Sequence, residues 1–384
     1  MKRMAARALS GLGALILMSS VASAQDFETS VPYAFLIDAN SDTILFNKEA
    51  DTLMPPASMA KLMTMAVVFH ELKEGRLSLD DEFTISENAW RSGGANSGGS
   101  TMFAKLNSQV RLEDLIRGVI IQSGNDASIA IAEGVAGSED AFARMMNTRA
   151  EEIGMSNSTF RNATGLPHPE QRVTARDLAT LAEHIITEFP EFYGIYSETS
   201  FEWNGIRQNN RNPLLSLGIN ADGLKTGYTE ESGYGLVGSA VEDGQRLILV
   251  INGGDSAGER AAEARKILNW GFRAFEDHTL IGANETIANA RVYGGNVFSV
   301  PLVATRDVAV LLPRGVEPDV SADVVYEGPI EAPVEAGRRI GTLRVSQGDA
   351  VTLLVPLVAG ADVPAGPIWR RAGDAAWELA RGLF

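Results

Sequence analysis

At 384 residues the chain exceeds what one hydrophobic core usually serves, so two domains are expected; 45% hydrophobic against 21% charged residues excludes a disordered protein. A formal charge of −16 argues against nucleic acid as a partner. The absence of cysteine excludes disulfides, thiolate metal sites, a cysteine nucleophile and a lipoprotein anchor.

Lys2, Arg3 and Arg7 precede an apolar stretch, Ala8 to Met18, that is too short to cross a bilayer, and Ala22-Ser23-Ala24 is a small-x-small cleavage site. Residues 1–24 are therefore expected to be a signal peptide. Losing its three basic residues and no acidic one takes the formal charge of the exported chain from −16 to −19.

Tyr33 to Ile37 and Thr43 to Phe46 read as a hairpin across the turn Ala39-Asn40-Ser41-Asp42. After Pro55-Pro56, the run from Ser58 to Leu72 is apolar all round and closes at Gly75, which predicts a central helix. Ser92 to Ser100 has loop composition, and fits a surface linker or a flap over a cleft equally well. Helical patterns hold from Leu112 to Ile153 and from Thr174 to Ile186, the second capped by Thr174. Strands are expected over Gly223 to Tyr228, Gly235 to Val241 and Arg246 to Asn252, the last two joined at Asp243-Gly244, and a helix over Ala257 to Phe275.

Strands at both ends with helices between them predict an α+β domain, 25–278, whose terminal strands share one antiparallel sheet. Beyond it, Val297 to Val303, Val308 to Leu312, Val320 to Tyr326, Arg339 to Val345 and Val351 to Leu357 predict a smaller all-β domain, 279–365. In the tail, 366–384, apolar residues fall at Trp369, Ala372, Ala376, Leu379 and Leu383 with Arg370, Arg371, Asp374, Glu378 and Arg381 opposite. That stripe predicts an amphipathic helix lying in a membrane surface.

The chemistry narrows by elimination and then by company. His70, His168, His184 and His278 form no His-Glu-x-x-His, so no metal is expected, and no Gly-x-Ser-x-Gly elbow marks a Ser-His-Asp hydrolase. Ser58-Met59-Ala60-Lys61 instead places a hydroxyl and an amine on one helical face. A desolvated Lys61 would have a lowered pKa, and its neutral form could take the proton of Ser58. The helix N-terminus adds backbone N–H groups suited to an oxyanion. Ser123-Gly124-Asn125 follows between helical segments and Lys225-Thr226-Gly227 at the start of a strand.

With their surroundings, Pro55-Pro56-Ala57-Ser58-Met59-Ala60-Lys61-Leu62-Met63-Thr64, Ser123-Gly124-Asn125-Asp126-Ala127 and Asp222-Gly223-Leu224-Lys225-Thr226-Gly227-Tyr228, these motifs resemble the low-molecular-mass penicillin-binding D-alanyl-D-alanine carboxypeptidases. Asn209-Asn210-Arg211-Asn212, Glu259-Arg260 and a trailing β domain are similar to that family too. The resemblance implies Ser58 as the acylated nucleophile, Lys61 as its base, Ser123 as proton relay to the leaving amine and Asn125 as holder of the substrate amide. It further implies an oxyanion hole from the N–H groups of Ser58 and Tyr228. Lys225 and Thr226, aided by Arg260, would face the terminal carboxylate, with Arg211 also at the substrate. Gly227 would let a peptide lie against the edge strand. Some relatives carry histidine where Tyr228 stands, a departure that leaves its backbone donor unaffected.

On this reading the partners are peptidoglycan stem peptides, β-lactam inhibitors and the periplasmic face of the cytoplasmic membrane, with no cofactor and no nucleic acid. A serine β-lactamase, a DD-endopeptidase and a non-catalytic wall-binding protein are the rivals. For a lactamase the chain lacks a Glu-x-x-Leu-Asn segment between Ser123 and Lys225; Glu170 is the one glutamate in a suitable loop, and its neighbours do not match.

Overall fold

The computed structural model describes residues 27–315, 320–347, 350–372 and 374. The expected signal peptide, 1–24, and the end of the expected tail helix, 375–384, lie outside the described residues. Contacts divide the chain into two units: one runs to His278 and includes Leu311–Gly315, and the other takes Thr279–Val310 and the chain beyond Gly315.

In the first unit a hairpin of β1 (Tyr33–Asp38) and β2 (Thr43–Lys48) leads through a 3₁₀ turn, Ala57–Ala60, into α1 (Lys61–Lys73). Helices α2 (Leu112–Ile120), α3 (Asn125–Ala136), α4 (Glu139–Glu152) and α5 (Ala175–Glu188) follow. The chain then returns as β3 (Ala221–Thr229), β4 (Gly233–Glu242) and β5 (Gln245–Gly254), and α6 (Ala257–Ala274) comes last. The predicted α+β architecture is present: the strands form one antiparallel sheet ordered β2-β1-β5-β4-β3, with β1 joined to β5 from Tyr33 opposite Asn252 to Asp38 opposite Leu247.

The sheet is buried on both faces, and the strand period of two sorts its side chains between two cores. Leu247, Leu249 and Ile251 pack with Ala264, Ile267 and Leu268 of α6, whereas Ile248 and Val250 join Phe35 and Val237 in the core of α1 to α5. That arrangement explains why β5 reads as a continuous apolar run rather than an alternating one. The β4–β5 turn holds Asp243 at φ 50° and Gly244 at φ 86°, the left-handed pair that Asp-Gly favours in a two-residue hairpin.

Helix α1 is central, with every residue from Lys61 to Phe69 buried. Its start differs from expectation: the α-helix begins at Lys61, and Ser58 stands on the preceding 3₁₀ turn. Pro55-Pro56 and a left-handed Ala57, φ 46°, turn the chain sharply there. In a 3₁₀ turn side chains three apart eclipse, so Ser58 and Lys61 still share a face.

The second unit carries a six-stranded sheet made of β6 (Thr286–Tyr293), β7 (Ser299–Val303), β8 (Val320–Tyr326), β9 (Ile330–Glu331), β10 (Arg339–Gln347) and β11 (Ala350–Ala359), in the order β8-β10-β11-β7-β6-β9. The sequence reading had no strand at β6, where Asn289 and Arg291 break the apolar run, nor at the two-residue β9. It also began β7 two residues early: Val297 and Phe298 belong to the β6–β7 hairpin tip, 45% and 68% exposed.

Candidate active site

Three segments converge at the open edge of the sheet. The 3₁₀ turn brings Ser58, the N-terminus of α3 brings Ser123 and Asn125, and edge strand β3 brings Lys225. Pairing β1 with β5 and packing α1 beneath the sheet are what bring these distant parts of the sequence together.

Lys61 is buried, and its Nζ donates to Ser58 Oγ at 3.0 Å, to Asn125 Oδ1 at 2.8 Å and to the carbonyl oxygen of Thr164. Burial, with the nearby Arg211 charge, lowers its pKa to about 7, while Asp126 pulls the other way. Burying an ammonium without a carboxylate in contact favours the neutral amine, which offers a lone pair to the serine hydroxyl. Lys225 is buried too; its Nζ donates to Ser123 Oγ at 2.9 Å and to its neighbour's carbonyl, Thr226 O, at 3.2 Å. Its pKa falls well below the ordinary lysine value, through burial first and then the charges of Lys61, Arg211 and Arg260.

Ser58, Ser123, Asn125, Thr226, Gly227, Tyr228, Arg211 and Arg260 all line one cleft of about 720 Å³, with Lys61 and Lys225 bonded behind it. Every site residue named from the sequence is therefore at one place. Among the lining residues are two arginines and no carboxylate, so the cleft suits an anionic ligand. Glu170 is not among them: exposed, it pairs with Arg161 at 3.3 Å. Gly98, Gly99 and Ser100 do line the cleft, which decides for the flap reading of the glycine-rich loop over the linker reading.

A Cβ on Gly227 would meet Pro56 O at 3.0 Å and Ala57 Cβ at 3.1 Å, so glycine there lets β3 lie against the nucleophile's turn. Tyr228, 51% exposed, stacks on Tyr234 with ring centroids 4.2 Å apart and forms an aromatic wall.

Other contributors carry little sequence signal of their own. Asp126 accepts from Thr101 Oγ1 at 2.7 Å, Met102 N at 2.9 Å and Ala104 N at 3.0 Å, and so fixes the end of the flap. Ser100 accepts from Asn125 N through its carbonyl and from Arg211 through its hydroxyl. Thr164 and Gly165 lie in a loop without periodicity; Asn162 Oδ1 accepts from both of their backbone N–H groups. The Asn-x-Thr-Gly spacing of such a side-chain-capped turn was the one available hint.

A nucleophilic serine beside a buried lysine, backed by a second serine–lysine pair, defines a serine hydrolase that uses lysine where others use histidine. The comparisons give the family. Residues 19–256 match the family model described as D-alanyl-D-alanine carboxypeptidase, and residues 275–365 match that of the penicillin-binding protein 5 C-terminal domain. The chain is 40% identical over 342 residues to the D-alanyl-D-alanine carboxypeptidase DacC of Escherichia coli, covering 88% of this chain and 86% of that one. Penicillin-binding protein 5 from Haemophilus influenzae superposes with a TM-score of 0.79 at 38% identity, over 88% of this chain and 99% of that one. Penicillin-binding protein D2 from Listeria monocytogenes, solved in its ampicillin-bound form, has a TM-score of 0.57 at 27% identity, over 65% of this chain and 100% of that one. The chain belongs to the D-alanyl-D-alanine carboxypeptidase family of serine peptidases.

Proposed function

We propose that this protein removes the terminal D-alanine from peptidoglycan stem peptides through an acyl-enzyme on Ser58, and that β-lactams acylate the same serine. The observation that carries the reading is the Lys61 Nζ to Ser58 Oγ contact of 3.0 Å, made by a lysine whose pKa is lowered to about 7. Neutral Lys61 takes the hydroxyl proton as Ser58 Oγ attacks the carbonyl carbon of the penultimate residue. The N–H groups of Ser58 and Tyr228 receive the oxyanion. Ser123, hydrogen-bonded to Lys225, relays to the departing amine the proton that Lys61 took, the D-alanine leaves with Lys61 neutral again, and water releases the shortened peptide. Asn125 and the backbone of β3 hold the scissile peptide.

Recognition of a chain end falls to Lys225, Thr226, Arg211 and Arg260. Arg260 is largely buried, its guanidinium 5.6 Å from the Tyr234 ring centroid, and its Nε has no acceptor among the described residues. A buried donor without a partner is costly, and a substrate carboxylate would satisfy it. The lactamase reading has no support in the cleft, which presents no glutamate to activate water against the acyl-enzyme.

On this proposal 25–278, with Leu311–Gly315, is the catalytic domain and the rest of 279–365 an accessory all-β domain. Residues 1–24 direct export, and 366–384 hold the mature protein on the periplasmic face of the cytoplasmic membrane. The decisive assay measures D-alanine release from a peptide ending in D-Ala-D-Ala beside penicillin turnover. Release with slow penicillin turnover, both lost in Ser58→Ala, is expected; rapid penicillin hydrolysis without D-alanine release would overturn it.

A further inference from the structure

The second unit carries an apolar surface that catalysis does not use. The β6–β7 hairpin tip and the segment leading into the tail are tied together: Asn296 N donates to Pro364 O at 2.9 Å and Gly366 N to Gly294 O at 2.8 Å. The approach is close enough that a Cβ on Gly366 would lie 2.5 Å from Gly295 O, and one on Gly295 would lie 2.8 Å from Val363 Cγ1. From Pro367 the chain turns helical, and Arg370 reaches back to the tip, where Nη1 donates to Asn296 O at 2.5 Å and the guanidinium lies 4.0 Å from the Phe298 ring centroid. Asp374, buried, accepts from Gly294 N at 2.8 Å. The tip thus fixes where the helix starts and which way it leaves.

Val297, Phe298, Ile368 and Trp369, on these two tied segments, are 45, 68, 84 and 73% exposed. These four large apolar side chains stand exposed on two segments that hydrogen-bond to each other, more than single scattered residues would give, and they suggest an interaction surface. We infer that the hairpin tip is a second membrane contact, with Val297 and Phe298 entering the headgroup region of an anionic phospholipid bilayer beside Ile368 and Trp369. This rests on the reading of 366–384 as an in-plane anchor. The occupant follows from continuity and charge: the stripe that begins at Trp369 and Ala372 runs on to Leu379 and Leu383 in sequence, and Arg370 and Arg371 set cations beside the apolar residues. A ring that is amphipathic or bears a cation on its face suits the headgroup boundary. Two contacts held at fixed geometry would also set the orientation of the unit on the membrane, which a single helix on a flexible link would not.

The native chain has no cysteine, so one introduced residue can be labelled uniquely. The mature protein carrying Val297→Cys and an environment-sensitive fluorophore is mixed with vesicles of phosphatidylglycerol and phosphatidylethanolamine, and a Trp377→Cys label reports the tail. A blue shift and rise in emission at both sites is the result expected. A shift at 377 with none at 297 overturns the hairpin contact and leaves the anchor standing; no shift at either, with no sedimentation on vesicles, overturns both. A shift at 297 that tracks protein concentration without vesicles would mean self-association and also overturns it. Unlabelled Val297→Ser/Phe298→Ser should bind the vesicles at least about fivefold more weakly, as burial of two apolar side chains is lost, while releasing D-alanine from a soluble peptide at the native rate. Native vesicle affinity in that variant would overturn the inference.

Discussion

Lys225 Nζ donates to Ser123 Oγ at 2.9 Å, joining residues 102 positions apart and fastening the edge strand to the loop ahead of α3. Burial, and after it the charges of Lys61, Arg211 and Arg260, push the pKa of Lys225 well below the ordinary lysine value. A substrate carboxylate would relieve that repulsion.

The first prediction concerns that carboxylate. Amidating the terminal D-alanine should cripple turnover, and Arg260→Ala should lower kcat/KM for the free acid by about 10- to 100-fold, the worth of one charge-assisted hydrogen bond. Against the amide, the variant and the native enzyme should differ little. Equal rates on acid and amide with the native enzyme would remove the carboxylate from recognition and point to an endopeptidase.

A second prediction concerns the base. Lys61 must be neutral to accept a proton, so acylation by penicillin should fall about tenfold per pH unit below about 7 and level off above it. Lys61→Arg keeps the charge but cannot deprotonate, and its acylation rate should drop by orders of magnitude. Stopped-flow or gel-based labelling across pH 5 to 9 checks both; a flat profile would contradict the assignment.

The third prediction is structural. Gly165 has φ +79°, and a Cβ there would sit 1.9 Å from Ala57 O, in the backbone of the nucleophile's own turn. The clash is with backbone, which cannot swing aside as a side chain can. Gly165→Ala should therefore destabilise the protein by about 2 kcal/mol or more and displace Ser58, abolishing penicillin labelling. Thermal unfolding and labelling together test it, and a variant that labels normally would show that the turn can yield.

The sequence showed which residues do chemistry more clearly than what supports them. Ser58, Lys61, Ser123 and Lys225 were legible because their motifs are short and sit beside recognisable helix and strand starts; the sheet was legible because its strands are apolar and bounded by turns such as Asp243-Gly244. Asp126, Ser100, Thr164 and Gly165 were not, since each acts through hydrogen bonds or clearance against residues far away in sequence, and no local pattern records a tertiary contact. The 3₁₀ start of α1 was hidden for a related reason: composition reports burial, and Ala57 to Phe69 is buried throughout apart from Ser58 itself, whichever helix type it adopts. The hairpin tip at Val297 and Phe298 read as strand because an apolar pair looks alike in a sheet and on an exposed turn.

The last prediction uses one of those illegible residues. Asp126 is buried, and its two carboxylate oxygens accept from Thr101, Met102, Ala104 and Ala127; its charge also holds the pKa of Lys61 up against burial. Asp126→Asn removes that charge and turns an amide nitrogen toward backbone or hydroxyl donors, which should cost stability by about 1–3 kcal/mol. The sign of the electrostatic effect is separate and specific. With the negative charge gone the neutral form of Lys61 is favoured further, so the acid limb of the acylation profile should move below pH 7, even if the maximal rate falls because the flap is loosened. A purely structural loss would lower the rate at every pH and leave the limb where it was. Penicillin acylation measured from pH 5 to 9 on the folded variant distinguishes these outcomes, and a limb that stays at about 7 or moves upward would show that Asp126 does not act on Lys61 through its charge.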